Sequence, residues 1–185
     1  MPRPTQIEPN PDGHLVEYTP LELDTLEPLL RELFLRRWRD LVIGYCIQGA
    51  VFELRATRTP RLSLLDGYLT VDFGSGHLHL CIGPNKGTQS NPTPPEIAEW
   101  RRAGRASLYR SINRENAPVS WGLRLWNGRD EQMLTLYFPN PYYDAQMRRQ
   151  PPDWSRLELW NDVRSRWLGL PPDAPGPETT LDPHG

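Results

Sequence analysis

The sequence predicts an α+β fold, a single domain in which a mostly antiparallel sheet is covered by about three helices. Three stretches carry apolar residues at helical spacing, and between them lie short stretches whose apolar residues alternate with polar ones. Two turn signals, Gly74-Ser75-Gly76 and Asn127-Gly128, each separate a pair of such stretches. Strands joined by short turns are antiparallel, which gives the sheet its predicted character.

Length and composition indicate one domain with two tails. The chain has 185 residues, which is the size of one domain. We expect a flexible arm over residues 1–13, the domain over residues 14–170, and a disordered proline-rich tail over residues 171–185. Both ends lack the apolar periodicity needed to offset chain entropy, so we expect them to be dispensable for folding.

Charge and cysteine usage restrict the expected partners and location. A net charge of −2 and a pI near 6.1 argue against nucleic acid or a membrane surface as a partner. The sequence shows no apolar run long enough for a transmembrane helix and no secretory signal at its start. Two cysteines make no disulfide framework, so we expect a bacterial cytoplasmic protein with reduced thiols; its oligomeric state stays open.

The first helix has two alternative starts. Thr19-Pro20-Leu21-Glu22 has the form of a capping box with proline at the first helical position. Pro28 then either ends a short first turn, or lies in the first turn of a helix that starts at Asp24 or Thr25. Gly44 is expected to end this helix.

The middle of the chain is expected to contain strands, a loop and a second helix. Alternating apolar residues predict strands over residues 51–56 and 62–65 and a hairpin over residues 65–83. An irregular loop follows over residues 83–95, the kind of segment that is often functional. Thr93-Pro94-Pro95-Glu96 is a second capping box, from which we expect a helix to about Tyr109.

The last third of the chain is expected to contain a second hairpin and a final helix. Val119 to Trp126 and Met133 to Phe138 have strand-like patterns on either side of Asn127-Gly128. Apolar residues at helical spacing from Trp154 to Trp167 then predict an amphipathic helix that Gly169 ends.

The strand after Gly74-Ser75-Gly76 carries the most informative chemistry. It places His77, His79 and Cys81 at every second position, so all three side chains point to one face. Imidazole and thiolate are good ligands for zinc, iron and copper. The ends of this triplet lie roughly 13 Å apart, so His77 with His79, or His79 with Cys81, can share an ion more easily than all three.

Asp72 is a further candidate ligand whose position depends on the hairpin register. With a two-residue loop of Ser75-Gly76 it lies opposite His79, as a ligand or as a partner that orients the imidazole. With a three-residue loop, Val71 faces His79 instead. The sequence does not decide between these two registers.

Aromatic and polar residues of the later strands are candidates for binding a small organic ligand. Trp121 and Tyr143 supply apolar walls, and Arg124 can hold a carboxylate or pair with Glu131.

His77-Leu78-His79-Leu80-Cys81-Ile82-Gly83 resembles the histidine-triad signature of nucleotide hydrolases and transferases. In that family the middle histidine attacks a phosphate, which by position implies His79 as the catalytic residue without any metal. The sequence departs from the signature at its third histidine, which is Cys81 here, and about a hundred residues follow the motif.

A resemblance that covers most of the chain is to an uncharacterised group of small bacterial proteins known only as a domain of unknown function. It is carried by three stretches of the sequence: HLHLCIG at 77–83, SWGLRLWNG at 120–128 and FPNP at 138–141. This resemblance implies one integral domain and no particular activity. From the His-x-His-x-Cys strand we hypothesise a metal-binding protein and, if it is an enzyme, a small metalloenzyme acting on a small organic molecule. The alternatives are a metal-free enzyme that uses His79 as base or nucleophile, and a non-enzymatic interaction subunit.

Overall fold

The computed structural model describes residues 4–9, 14–47 and 49–176, apart from the side chains of residues 46 and 47. The helices and strands of these residues follow in chain order: β1 (Gln6–Pro9), β2 (Leu15–Pro20), α1 (Leu26–Arg36), β3 (Val42–Ile47), β4 (Ala50–Leu54), β5 (Arg61–Leu65), β6 (Tyr68–Asp72), β7 (His77–Cys81), β8 (Gly87–Thr88), β9 (Asn91–Pro92), α2 (Pro95–Arg101), β10 (Ala103–Ile112), β11 (Pro118–Asn127), β12 (Gln132–Tyr137) and α3 (Glu158–Leu168).

The strands form three sheets, and the predicted α+β class is confirmed. The largest sheet has seven strands in the order β1-β2-β10-β11-β12-β3-β4. A three-stranded sheet has the order β5-β6-β7, and β8 pairs with β9 in a two-stranded ribbon. Pairing is antiparallel in both smaller sheets, and also between β1 and β2, β2 and β10, and β3 and β4.

The chain divides into two compact units. The first comprises Met1–Pro20, Ser107–Leu123 and Leu136–Gly185, and the second comprises Leu21–Ala106 and Arg124–Thr135. The candidate ligands of the β7 strand all belong to the second unit. Helix α1 and the three-stranded sheet of this unit position the candidate site.

Helix α1 supplies part of the core of the second unit. Its apolar stripe is fully buried, and Phe34 contacts Phe73 edge-on with ring centres 6.5 Å apart. The helix follows a one-turn 3-10 helix at Leu23–Thr25 and contains Pro28 in its first turn, as the second alternative predicted. The prediction that Gly44 ends the helix is wrong: α1 ends at Arg36 and Gly44 lies inside β3.

The second predicted helix is correct only at its start. Helix α2 ends at Arg101, and the residues up to Ile112 form strand β10. In this strand Gly104 lies close to the turn after β11, where a side chain would come within 3.0 Å of the Asn127 carbonyl oxygen. Residues 107–112 pair with β2, and this pairing outweighs the helical spacing of their apolar residues. The predicted capping residues Thr19 and Pro20 are the last two residues of β2 and do not cap a helix.

Both ends of the chain contain residues that belong to the fold. Within the expected flexible arm, Gln6–Pro9 forms strand β1 and pairs with β2. Within the expected disordered tail, Asp173 forms ion pairs with Arg110 at 3.0 Å and Arg164 at 3.2 Å. Trp160 of helix α3 also donates its indole N–H to Asp173 at 2.8 Å. Asp173 thus has partners in the first unit, while residues 177–185, with His184, lie outside the described residues.

Candidate functional site

The three-stranded sheet has one apolar face and one polar face. Leu69, Val71 and Leu80 are at most 2% exposed and face the core, as the alternation predicts. The strand register places the side chains of the other face in three rows across β5, β6 and β7. These rows are Arg61–Asp72–His77, Ser63–Thr70–His79 and Leu65–Tyr68–Cys81. The polar face of this sheet is the candidate site.

The β6–β7 turn sets this register and differs from both alternatives that the sequence allowed. Phe73 donates its backbone N–H to the Gly76 carbonyl oxygen at 2.9 Å, so the two-residue loop is Gly74-Ser75. Gly74 has a φ of +89°, a conformation that glycine adopts at little cost. As a result Asp72 faces His77, and neither Asp72 nor Val71 faces His79.

His77 and His79 lie side by side on this face, and both are exposed. Their ring centres are 4.7 Å apart and the rings are inclined at 63°. Thr70, directly opposite His79 on β6, has its hydroxyl oxygen 2.8 Å from His79 Nδ1. This hydrogen bond fixes the imidazole and leaves its Nε2 for another partner.

The carboxylate of Asp72 already has two partners. Arg61 donates to Oδ2 at 2.6 Å, and the Gly74 backbone N–H donates to Oδ1 at 2.6 Å. These bonds, with Arg61 as the larger cause, lower the pKa of Asp72 below its ordinary value. Asp72 therefore holds the turn and lies on the same face as His77, but it has to release Arg61 or Gly74 to bind a metal.

Cys81 shares the face with the two histidines but is covered. The residue is 2% exposed, and its Sγ donates to the Gly83 carbonyl oxygen at 3.7 Å. Burial raises the pKa of this thiol, against the opposing effect of the Tyr68 hydroxyl. Since the thiolate is the form that binds metals, the histidine pair is the better chelate of the two pairs that the sequence allowed.

The loop that follows β7 is organised by the side chain of Asp66. Its carboxylate accepts hydrogen bonds from Asn85 Nδ2 at 2.7 Å and from the backbone N–H groups of Lys86 and Gly87 at 2.7 and 2.9 Å. Arg101 of α2 in turn donates to the Asn85 side chain at 3.3 Å. The start of the loop is thus fixed beside the end of the candidate site.

We expect the stabilising effect of Asp66 to depend on pH. The Lys86 backbone N–H, with smaller effects of Gly87 and Asn85, lowers the pKa of Asp66 below its ordinary value of 3.8. A lowered folded-state pKa contributes stability that is fully present above the unfolded value and is lost as the pH falls through the folded value. Asp66→Asn should therefore unfold more easily than the wild type at pH 7, and the difference should narrow below pH ~4. Urea unfolding from pH 7 to pH 3 measures this, and a difference that stays constant would contradict it.

The predicted ligand-binding residues of the later strands have structural contacts. Trp121 is 2% exposed and stacks on Tyr142 with ring centres 6.4 Å apart. Tyr143 is half-buried and forms an isolated β-bridge with Arg149. Arg124 donates to the Thr135 hydroxyl at 3.2 Å, and Glu131 accepts from the Trp100 indole and the Asn127 amide, each at 2.7 Å. Their role in binding a ligand stays a prediction.

A comparison with protein-family models gives one match that covers most of the chain. Residues 5–169 match a family of unknown function (DUF7676). The chain belongs to this family. The predicted membership of an uncharacterised family is thereby confirmed, and the family description carries no activity. No curated protein matches the chain.

Two absences in the structure concern the predicted partners. Among the described residues, no group of three or more His, Cys, Asp and Glu side chains is arranged to hold a metal ion. No helix within the same residues is long and apolar enough to cross a membrane.

Two residues of the polar face were not among the sequence candidates. Thr70 orients His79, and Arg61 holds Asp72. The alternation of β6 places Thr70 and Asp72 on one face, but only the hairpin register shows that Thr70 is opposite His79. The sequence signal for Thr70 was its position two residues before Asp72 on the same strand.

Proposed function

We propose that this protein binds a transition metal ion through His77 and His79 on the polar face of the three-stranded sheet. The observation that supports the proposal is the 4.7 Å separation of the two imidazole rings. Neutral imidazole is a ligand for zinc, copper and iron, which are the metals that we propose for this site. Bacterial origin and a cytoplasmic location remain part of the same proposal.

The ring separation agrees with the geometry of two imidazoles on one ion. A zinc ion lies about 2.0–2.1 Å from each ligating nitrogen, and therefore about 3.2 Å from each ring centre. With the tetrahedral angle between the two ligands, the ring centres lie about 5 Å apart. The separation of the ring centres is thus compatible with chelation of one ion by both exposed side chains.

The surroundings of the pair favour an open site. Thr70 can accept a hydrogen bond from Nδ1–H of His79, which presents Nε2 to the metal. Asp72 is held by Arg61, and Cys81 is buried, so neither competes for the ion in this arrangement. Coordination positions without protein ligands suit a small organic molecule with an oxygen donor, as in metal sites that activate a substrate.

Metal titration of histidine variants tests this proposal. His77→Ala and His79→Ala should each lower the affinity for Zn²⁺ by at least ~100-fold, because changes to groups behind the ligands already cost about 10–100-fold. His14→Ala is the matched control, since it removes a histidine that lies outside the three-stranded sheet. Wild-type affinity in His79→Ala, or an equal loss in His14→Ala, would contradict the site.

The Thr70 contact also favours a second candidate, a metal-free enzyme. Thr70 and His79 Nδ1 lie within the distance expected of a nucleophile and its general base. In the histidine-triad resemblance, His79 is itself the nucleophile. Each arrangement uses His79 without a metal.

Thr70→Val separates the two candidates. In the metal site Thr70 only orients His79, so this nearly isosteric change should lower the Zn²⁺ affinity by about tenfold and leave binding measurable. In a metal-free enzyme with Thr70 as nucleophile, the variant would keep the wild-type metal affinity and lose covalent labelling by an acylating probe. Isothermal titration with Zn²⁺ and mass spectrometry of probe-treated protein provide the two measurements.

A further inference from the structure

Strand β4 is the outer strand of the seven-stranded sheet and is unusually apolar for such a position. It pairs with β3 on one side, and no described strand pairs with its other side. Val51 and Phe52 are each 64% exposed, and Tyr45, opposite Phe52 on β3, is 48% exposed. An edge strand of this kind offers free backbone hydrogen-bonding groups together with apolar side chains, and natural proteins generally protect such edges.

The apolar residues form a strip that begins in the core. Ile43 faces Leu54 at the base of the β3–β4 hairpin, where Ile43 is 7% exposed and Leu54 is half-buried. Tyr45 and Phe52 continue the same face outward, two residues further along each strand. Apolar side chains thus continue from the core of the second unit onto an exposed hairpin. A continuous exposed apolar strip of this kind is typical of a contact surface.

We propose that residues 52–56, the end of β4 and the two residues that follow it, pair antiparallel with the same residues of a second copy of the chain, about a two-fold axis at Leu54. In this register Glu53 of each copy faces Arg55 of the other, so two symmetric ion pairs form on one face. Leu54 faces its own counterpart on the opposite face, beside Phe52 of each copy. Charge complementarity of the strand with itself thus selects a second copy as the partner.

The neighbouring registers lack this complementarity. An axis at Glu53 places two carboxylates directly opposite each other, which is destabilising. An axis at Phe52 places Glu53 opposite Val51 and leaves the acidic groups without basic partners. Arg55 has an interaction within its own chain, and its guanidinium carries five N–H donors, enough to bind Glu53 of the second copy as well.

The expected dimer is weak and concentration-dependent. A contact confined to one strand of each copy is smaller than the roughly 1,200 Å² of a standard stable interface. Exposed ion pairs add specificity and register more than affinity. Sedimentation velocity of the full chain over a wide concentration range should therefore show a monomer–dimer equilibrium. This inference does not depend on the proposed metal site.

Charge exchange tests the register. Glu53→Arg and Arg55→Glu each create like-charge contacts across the axis and should raise the dimer dissociation constant by at least ~10-fold. The double variant Glu53→Arg/Arg55→Glu restores both pairs with their signs exchanged and should return the constant to within about threefold of wild type. Circular dichroism verifies that each variant is folded.

Three results would overturn the proposal. The first is a monomer at every concentration, and the second is a dimer that both single variants leave unchanged. The third is a monomer that dimerises only when residues 177–185 are removed, because it would mean that the chain's own C-terminal segment covers the edge.

Discussion

Replacing Asp173 by alanine should destabilise the protein by about 3 kcal/mol. The Asp173 side chain is 15% exposed and bridges Arg110 and Arg164, which are 29% and 14% exposed. Removing this carboxylate takes an ion-pair partner from two partly buried guanidinium groups. It also takes the hydrogen-bond acceptor from the indole N–H of Trp160. The expected cost lies at the lower end of the range for broken buried pairs, since solvent partly screens the charges.

Chemical denaturation measures this effect, and Asp162→Ala provides the control. Asp162 pairs with Arg166 one turn away on the surface of α3, with side chains 35% and 49% exposed. An exposed pair of this type contributes less than about 1 kcal/mol, so Asp162→Ala should unfold near the wild-type midpoint. Equal midpoints for Asp173→Ala and wild type would show that the tail contributes nothing to stability, as the sequence alone predicted.

The second large effect concerns the buried face of the β7 strand. Leu80→Ala removes a side chain that is 2% exposed and should cost roughly 2–5 kcal/mol of unfolding free energy. Leu78→Ala should cost less, because Leu78 is only half-buried. His79→Ala, on the exposed face, should cost least in metal-free protein, because surface substitutions usually stay within about 0.5 kcal/mol.

Urea unfolding of the three metal-free variants gives the order of their stabilities. The expected order of destabilisation is Leu80→Ala, then Leu78→Ala, then His79→Ala. If His79→Ala destabilised the protein as much as Leu80→Ala, His79 would be a packing residue and the polar face would lose its proposed function.

Strand alternation allowed the faces of the central hairpin to be predicted but not its register. The period of two places His77 and His79 on one face and Leu80 on the other, and the structure agrees. The register depends on which residues form the turn, and Gly74-Ser75-Gly76 allows several two- and three-residue loops. The structure uses Gly74-Ser75, which is neither Ser75-Gly76 nor the three-residue loop Gly74–Gly76.

Tertiary pairing explains the elements that the sequence predicted wrongly. The apolar residues of β10 show helical spacing, but in the sheet this strand lies between β2 and β11. Almost all of its residues are buried or half-buried there. Near-complete burial removes the alternation that identifies a strand. Asp173 was missed for a different reason: its partners Arg110 and Trp160 are distant in sequence, and composition alone favours disorder there.

X-ray absorption at the zinc edge, on protein loaded with one equivalent of Zn²⁺, tests the central claim most directly. The His77–His79 site predicts two imidazole nitrogens at about 2.0–2.1 Å, oxygen ligands in the remaining positions, and no sulfur. The imidazole signal should disappear in the His77→Ala/His79→Ala variant. A sulfur ligand at about 2.3 Å in the wild type would contradict the account, because it would place the ion on a cysteine rather than on the exposed histidine pair.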